Sequence, residues 1–390
     1  MTTRATEISI GQRTTRSGLP AGAAVEAALM EAYDDYRRSG RLPEELQLED
    51  LGYHLVQASR FGEAAWCFDH SDPANPDRVE LVQWWQMVVA HVRGRDEEAS
   101  RAFHRFAAMV PASSRLPSII RSMAFLVGDL EWARVWLRRG SVLSPEESES
   151  FSRLCRHADA LCHTAGPVSE ASARRATLLV LGQSNAGNSS EVATSVAGNA
   201  RVFKSGRFYP TADPLVGADG TGGSIWSRLA TRLLASGFCE EIVLVCVTRG
   251  SSTMEDWSTS GTFGLERTCR QLRATGVDVT HVLWQQGEQE TVRGVSKEDY
   301  MRGLYRLRDR LTAEGVSAPF YCALSTRVGA RTCREVAAAI GEAAATSDGF
   351  RIGPDTDALG AEFRKDGTHL NAKGQDAAAE LWLRTLVGSP

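Results

Sequence analysis

From residue 175 onward the chain alternates short apolar runs with amphipathic stretches, and that alternation restricts the fold more than any other feature. ATLLVLG (176–182), EIVLVCV (241–247), THVLWQQG (280–287) and PFYCALS (319–325) each read as a buried strand. SIWSRLATRLLASG (224–237), LERTCRQLRATG (265–276), KEDYMRGLYRLRDRLTAEG (297–315) and TCREVAAAIGEAAAT (332–346) place apolar residues at helical spacing. NAKGQDAAAELWLRTLV (371–387) adds a last helix. Apolar strands joined by helical crossovers form a parallel sheet covered on both faces. The predicted class for residues 176–390 is therefore α/β, a doubly wound parallel sheet. In such sheets ligands bind beyond the carboxyl ends of the strands. The chemistry is to be sought in residues that directly follow a strand.

The first half has a different grammar. Residues 1–21 read as a flexible N-terminus, 22–165 as helices only, and 166–175, containing Pro167 among small residues, as a linker. Within the helical part SRFGEAAWCF, GRDEEASRAF and GDLEWARVWL share a small residue followed five positions on by alanine. The alanines, Ala64, Ala99 and Ala133, lie 34–35 residues apart. That period matches the tetratricopeptide repeat, although irregular antiparallel helices would give the same pattern. Trp66, Trp84, Trp85, Trp132 and Trp136 are expected to fill this core.

Charge and cysteine usage narrow the function classes. With 48 acidic and 44 basic residues the formal net charge is −4, which argues against a broad nucleic-acid footprint. No apolar run reaches the ~18 residues of a membrane helix, and the first residues lack the apolar core of a signal peptide. The expected location is the cytoplasm, with no membrane and no nucleic-acid partner. The eight cysteines are scattered and read as reduced, mostly buried thiols. Cys155 and Cys162 lack metal-site spacing, so no metal is expected.

Polar residues do gather where the sheet rule places them. Gly182-Gln183-Ser184-Asn185 follows the first strand, and Arg249-Gly250-Ser251 the second. Gln286-Gly287-Glu288 closes the third, and Asp366 and His369 sit three apart just before the last helix. A loop can hold such an Asp-x-x-His pair with the carboxylate on one ring nitrogen and the other nitrogen facing the cleft. That is the orienting and base half of a catalytic triad.

These four segments resemble the blocks of the SGNH (GDSL-like) hydrolase superfamily. More narrowly they resemble its sialate O-acetylesterase and acetylxylan-esterase-like branch, through GQSN at 182–185 and WQQGE at 284–288. The resemblance covers roughly residues 175–390 and does not extend to the helical half. It implies a flavodoxin-like sheet and a catalytic set of Ser184, His369 and Asp366. It further implies oxyanion donors at the Ser184 N–H, the Gly250 N–H and the Gln286 side chain, with Gln183 and Glu288 shaping the site. No cofactor is implied. The substrate would be a small-molecule or glycoside acyl ester, cleaved through an acyl-serine. The same triad could instead pass the acyl group to an alcohol or amine, which serine and histidine do not distinguish. A third alternative is a binding module without activity. The helical half could recruit a protein or carrier partner, or cover the site.

The flanking residues carry further expectations. Arg249 replaces a glycine found in related esterases and reads as a surface residue or as a contact for an anionic substrate. Trp257 would wall the pocket, and Asn185 would fix the nucleophile turn or cap a helix. Glu288 would accept a buried hydrogen bond, whereas Glu290 reads as solvated. The glycine-rich VGADGTGGSIW (216–226) lacks a P-loop ending and reads as a flexible, substrate-facing loop.

Overall fold

The computed structural model describes residues 21–42, 47–57, 60–71, 76–93, scattered positions from 95 to 105, 174–259 and 262–388. It divides into two compact units, Met1–Ala90 and His91–Pro390. In the first unit α1 (Ala21–Ser39), α2 (Leu48–Gln57), α3 (Phe61–His70) and α4 (Pro76–Val92) follow one another. Leu29, Leu51, Leu55, Cys67, Phe68 and Val89 fill its core together with Ala64, the alanine of the first repeat-like segment. Trp66 and Trp85 pack against that core half-buried rather than filling it, and Trp84 is likewise half-buried. Trp66 stacks on the exposed His70 at 4.0 Å and Trp85 meets the exposed Tyr53 at 5.4 Å, so both indoles cover the rim of the core. The third repeat-like segment, Trp132, Trp136, Cys155, Cys162 and residues 166–173 of the expected linker lie outside the described residues.

The second unit is built on a seven-stranded sheet in the order β3-β2-β4-β1-β5-β6-β7. The strands are β1 (Arg175–Gly182), β2 (Ala200–Lys204), β3 (Arg207–Pro210), β4 (Glu241–Thr248), β5 (His281–Gly287), β6 (Phe320–Ser325) and β7 (Phe350–Asp355). All neighbours pair in parallel except the β2–β3 hairpin. Taken alone, β4-β1-β5-β6-β7 is the 2-1-3-4-5 order of a flavodoxin-like sheet, whose chain reverses direction across the sheet at β1 and β5. β1 and β4 are buried along nearly their whole length, which explains why they read as unbroken apolar runs.

The helices are α5 (Ile225–Ala235), α6 (Met254–Ser258), α7 (Leu265–Arg273), α8 (Glu288–Arg293), α9 (Lys297–Ala313), α10 (Arg334–Thr346) and α11 (Ala372–Val387). Several start where a side chain satisfies an orphan N–H. Ser224 accepts from Trp226, Ser296 from Asp299 and Asn371 from Gly374, while Thr253 and Asp256 form a reciprocal capping box. Trp226 of α5 and Trp382 of α11 meet at 5.4 Å and lock these two helices together over the sheet. The six described cysteines are free and buried. Among the described residues no helix is long and apolar enough to cross a membrane.

Candidate active site

The site begins with a backbone constraint. At the end of β1 Gly182 takes φ +138°, and a Cβ there would lie 2.0 Å from the Gln285 carbonyl oxygen of β5. Only glycine lets the chain turn so close to its neighbour strand. The turn delivers Ser184 as the first residue of a 3-10 turn, Ser184–Ala186. Its N–H is one of those that the start of such a turn leaves without an internal partner.

The last loop meets this turn. His369 Nε2 lies 3.0 Å from Ser184 Oγ, and His369 Nδ1 lies 2.7 Å from Asp366 Oδ2. Asp366 Oδ1 accepts from the backbone N–H groups of Thr368 (3.0 Å) and His369 (2.7 Å). Burial pushes the Asp366 carboxyl up, but the His369 ring and those two N–H groups outweigh it and hold the group at about 2. Asp366 thus stays a carboxylate, and His369 is oriented with Nε2 toward the serine. The His369 and Asp366 side chains keep 29% and 47% of their surface exposed, so this edge of the site is open to solvent.

Behind the serine the polar residues are buried and mutually bonded. Gln183 accepts from the N–H groups of Gly287 and Gln289, tying the nucleophile turn to α8. Asn185 Nδ2 donates to Glu288 Oε1 (2.6 Å) and to the Thr368 carbonyl (3.2 Å), so it bridges the serine turn and the histidine loop. Ser325 Oγ donates to the same Glu288 oxygen at 2.9 Å. Gln285 donates to the Asn185 carbonyl and accepts from Trp382 Nε1. Burial pushes Glu288 up to about 7 against the hydrogen bonds from Asn185 and Ser325.

Several expectations from the sequence need correction. The Gly250 N–H does stand beside the serine, since a Cβ on Gly250 would lie 3.9 Å from Ser184 Cβ. It is not open, however, and donates to Asp219 Oδ2 at 2.8 Å. The Gln286 amide does not face the serine; fully buried, it donates to the Ser252 carbonyl and the Glu290 carboxylate and accepts from Tyr300 Oη. The reason is that β5 points this side chain into the layer under α9. Trp257 does not wall a pocket. Its ring is sealed between Phe263 and Trp284, and its N–H donates to Ser252 Oγ. Glu290 is buried rather than solvated, because the Met254 N–H and Gln286 supply donors that compensate its desolvation. Arg249 lies half-buried at the end of β4, its N–H donating to the Gly182 carbonyl.

The glycine-rich segment is a packed loop rather than a loose one. Cβ atoms at Gly217 and Gly223 would fall 2.5 Å and 1.8 Å from the carbonyl oxygens of Cys246 and Val192. Its glycines serve close backbone approach, and the loop carries Asp219 to the serine. Asp219, Gln285 and Ser325 escaped the sequence reading. Ser325 ends β6 and could have been found by the strand-end rule. Asp219 gives no such signal, since its position depends on how the loop folds back.

A serine, a histidine and a carboxylate in hydrogen-bonded sequence, with the serine at a strand's carboxyl end, form the constellation of a serine hydrolase. Residues 176–386 match the family described as carbohydrate esterase, sialic acid-specific acetylesterase (SASA), and the chain belongs to that family. It is a carboxylic-ester hydrolase. No protein with a curated description matches. Among solved structures the chain is similar to a protein of Arabidopsis thaliana, with 18% identity, TM-score 0.45, and 55% of this chain and 99% of that one covered. It is also similar to a carbohydrate acetylesterase from Xanthomonas citri, with 16% identity, TM-score 0.37, and 55% and 57% covered. A member of the lipolytic G-D-S-L family from Veillonella parvula matches with 12% identity, TM-score 0.33, and 55% and 97% covered.

Proposed function

We propose that the protein removes an acetyl or other small acyl group from a glycoside or small metabolite through an acyl-serine intermediate. The observation that carries this reading is the unbroken chain Ser184 Oγ, His369, Asp366 at 3.0 and 2.7 Å. His369 Nε2 takes the Ser184 proton as Oγ attacks the ester carbonyl carbon, and Asp366 stabilises the imidazolium that forms. The carbonyl becomes a tetrahedral oxyanion, which needs preorganised donors. The Ser184 N–H is one. The Gly250 N–H is the second, and it becomes available when the incoming oxygen takes the place of Asp219 Oδ2. Gln286 acts from behind, holding the Ser252 carbonyl and so the loop that carries Gly250. The imidazolium then protonates the leaving alkoxide. Water, deprotonated by the same histidine, attacks the acyl-serine and releases the acid.

Hydrolysis of p-nitrophenyl acetate by the wild type and by folded Ser184→Ala tests the reading. Activity that vanishes in the variant, with an acetyl adduct on wild-type Ser184 seen by intact mass, is the expected result. Activity that survives Ser184→Ala overturns it. Acetyl transfer to an added alcohol in preference to water would make the enzyme a transferase working with the same triad.

A further inference from the structure

Two buried oxygens behind the nucleophile lack any hydrogen-bond partner: Asn185 Oδ1 and Glu288 Oε2. They belong to side chains already joined on their other edges, since Asn185 Nδ2 donates to Glu288 Oε1 at 2.6 Å. Both orphans are acceptors if Glu288 is ionised. Two buried acceptors left unpaired are costly, and a bare carboxylate oxygen far from water more so. One proton removes both penalties. We propose that Glu288 is a neutral carboxylic acid in the working enzyme, its Oε2–H donated to Asn185 Oδ1. It thereby forms a two-bonded acid–amide pair that positions the Ser184 turn.

The surroundings fit a neutral acid. Ser325 Oγ approaches from the end of β6 and donates to Oε1, and the Glu288 backbone N–H also acts on its own carboxyl, yet Oε2 has no hydrogen-bond partner. Arg364, a cation that acts on Glu288 through space, donates to three carbonyl oxygens, of Leu359, Thr356 and Thr368, rather than to Glu288. Asp357 brings a second carboxylate toward the group, Tyr300 brings a neutral phenol from α9, and Asp366 and His369 lie on the open side. The acid's elevated pKa of about 7 follows first from burial.

The consequence is functional. Asn185 spends its second N–H on the Thr368 carbonyl, next to His369. The pair therefore sets the position of the serine turn relative to the histidine loop. Loss of the Glu288 proton breaks one of its two bonds and puts a negative charge behind the forming oxyanion. Glu288 is a positioning residue, and its ionisation makes activity fall on the alkaline side.

The proposal rests on the triad only for its activity readout, and the test separates the two. kcat/KM is measured from pH 5 to 9 for the wild type, Glu288→Gln and Glu288→Ala. Gln can donate to Asn185 Oδ1 and accept from Asn185 Nδ2 without titrating. Glu288→Gln should rescue the Ala variant, keeping activity within about threefold of wild type below pH 7. It should also lack the wild-type fall above that pH, while Glu288→Ala loses about tenfold or more. An alkaline limb that persists in Glu288→Gln, or a Gln variant as impaired as Ala at every pH, overturns the proposal. Should neither variant fold, the Glu288 carboxyl carbon of the ¹³C-labelled wild type, assigned through its own side chain, decides. It should hold its protonated shift to about pH 6, and titration near the ordinary glutamate value of about 4.3 overturns the proposal. Because the carboxyl titration needs no turnover, its failure is distinct from survival of activity in Ser184→Ala.

Discussion

A serine hydroxyl gives up its proton only to a base it already touches, and the 3.0 Å contact from His369 Nε2 to Ser184 Oγ supplies one. Ser184→Ala should therefore lower kcat/KM by at least about 10⁴-fold while leaving the melting temperature near wild type. Asp366→Asn keeps the shape but removes the charge that holds the imidazole in its useful tautomer. Stopped assays should show a kcat loss of about 10²–10⁴ with little change in KM. With its carboxyl at about 2, Asp366 is fully ionised above pH 4, so it does not set the acid limit of activity. Its folded pKa is depressed. The stability it contributes is present above the ordinary aspartate range and is lost as pH falls toward about 2.

At the scale of elements, what was legible in the sequence follows from burial. β1, β4, β5 and β6 are sealed nearly throughout, so their apolar runs announce them. The edge strands were not announced. β7 exposes Arg351 and Ile352 and carries Pro354, and β2–β3 is a short hairpin closed by Ser205 and Gly206, both at positive φ. Asp366 and His369 were legible from their spacing before α11, and the fold brings His369 to a serine 185 residues away; only Ser184, at the end of β1, was placed by the strand-end rule. It failed for Gln286 and Trp257. Placement at a strand's end says where a residue sits, and the direction of its side chain depends on neighbours such as Tyr300 and Phe263 that no local pattern reveals. Gly182 joins the two levels, because β1 must end there in a conformation with φ +138°. Gly182→Ala drives a methyl group against the Gln285 carbonyl and should destabilise the unit by about 2–4 kcal/mol in urea melts. Refolded protein should also show reduced kcat, since the serine turn moves with the strand end.

For the whole molecule, the four helices between Ala21 and Val92 and the sheet carry separate cores, and we propose that the sheet unit folds without those helices. A chain beginning near residue 170 should hydrolyse p-nitrophenyl acetate within about threefold of the full chain. If it also matches the full chain on an acetylated sugar, the helices do not shape the substrate pocket. A second whole-molecule property follows from the buried acids. Burial raises Glu288 and Glu290 to about 7 and Asp213 to about 6. In each case the folded form binds a proton that the unfolded chain releases at lower pH. Stability contributed by these groups is thus complete below about pH 4 and declines as pH rises to about 7, where the folded groups ionise too. A tenfold gain in proton affinity on folding is worth about 1.4 kcal/mol, and the gains at the three acids exceed that and act in the same direction, so the decline across that range runs to several kcal/mol. Asp366, Asp299 and Asp376 are shifted the other way and act only at the acid end of the scale. Urea midpoints measured at pH 5 and pH 8 should show the protein more stable at pH 5. Glu288→Gln and Glu290→Gln should each flatten the difference. A protein equally stable at both pH values would mean that these carboxyls stay ionised within the fold.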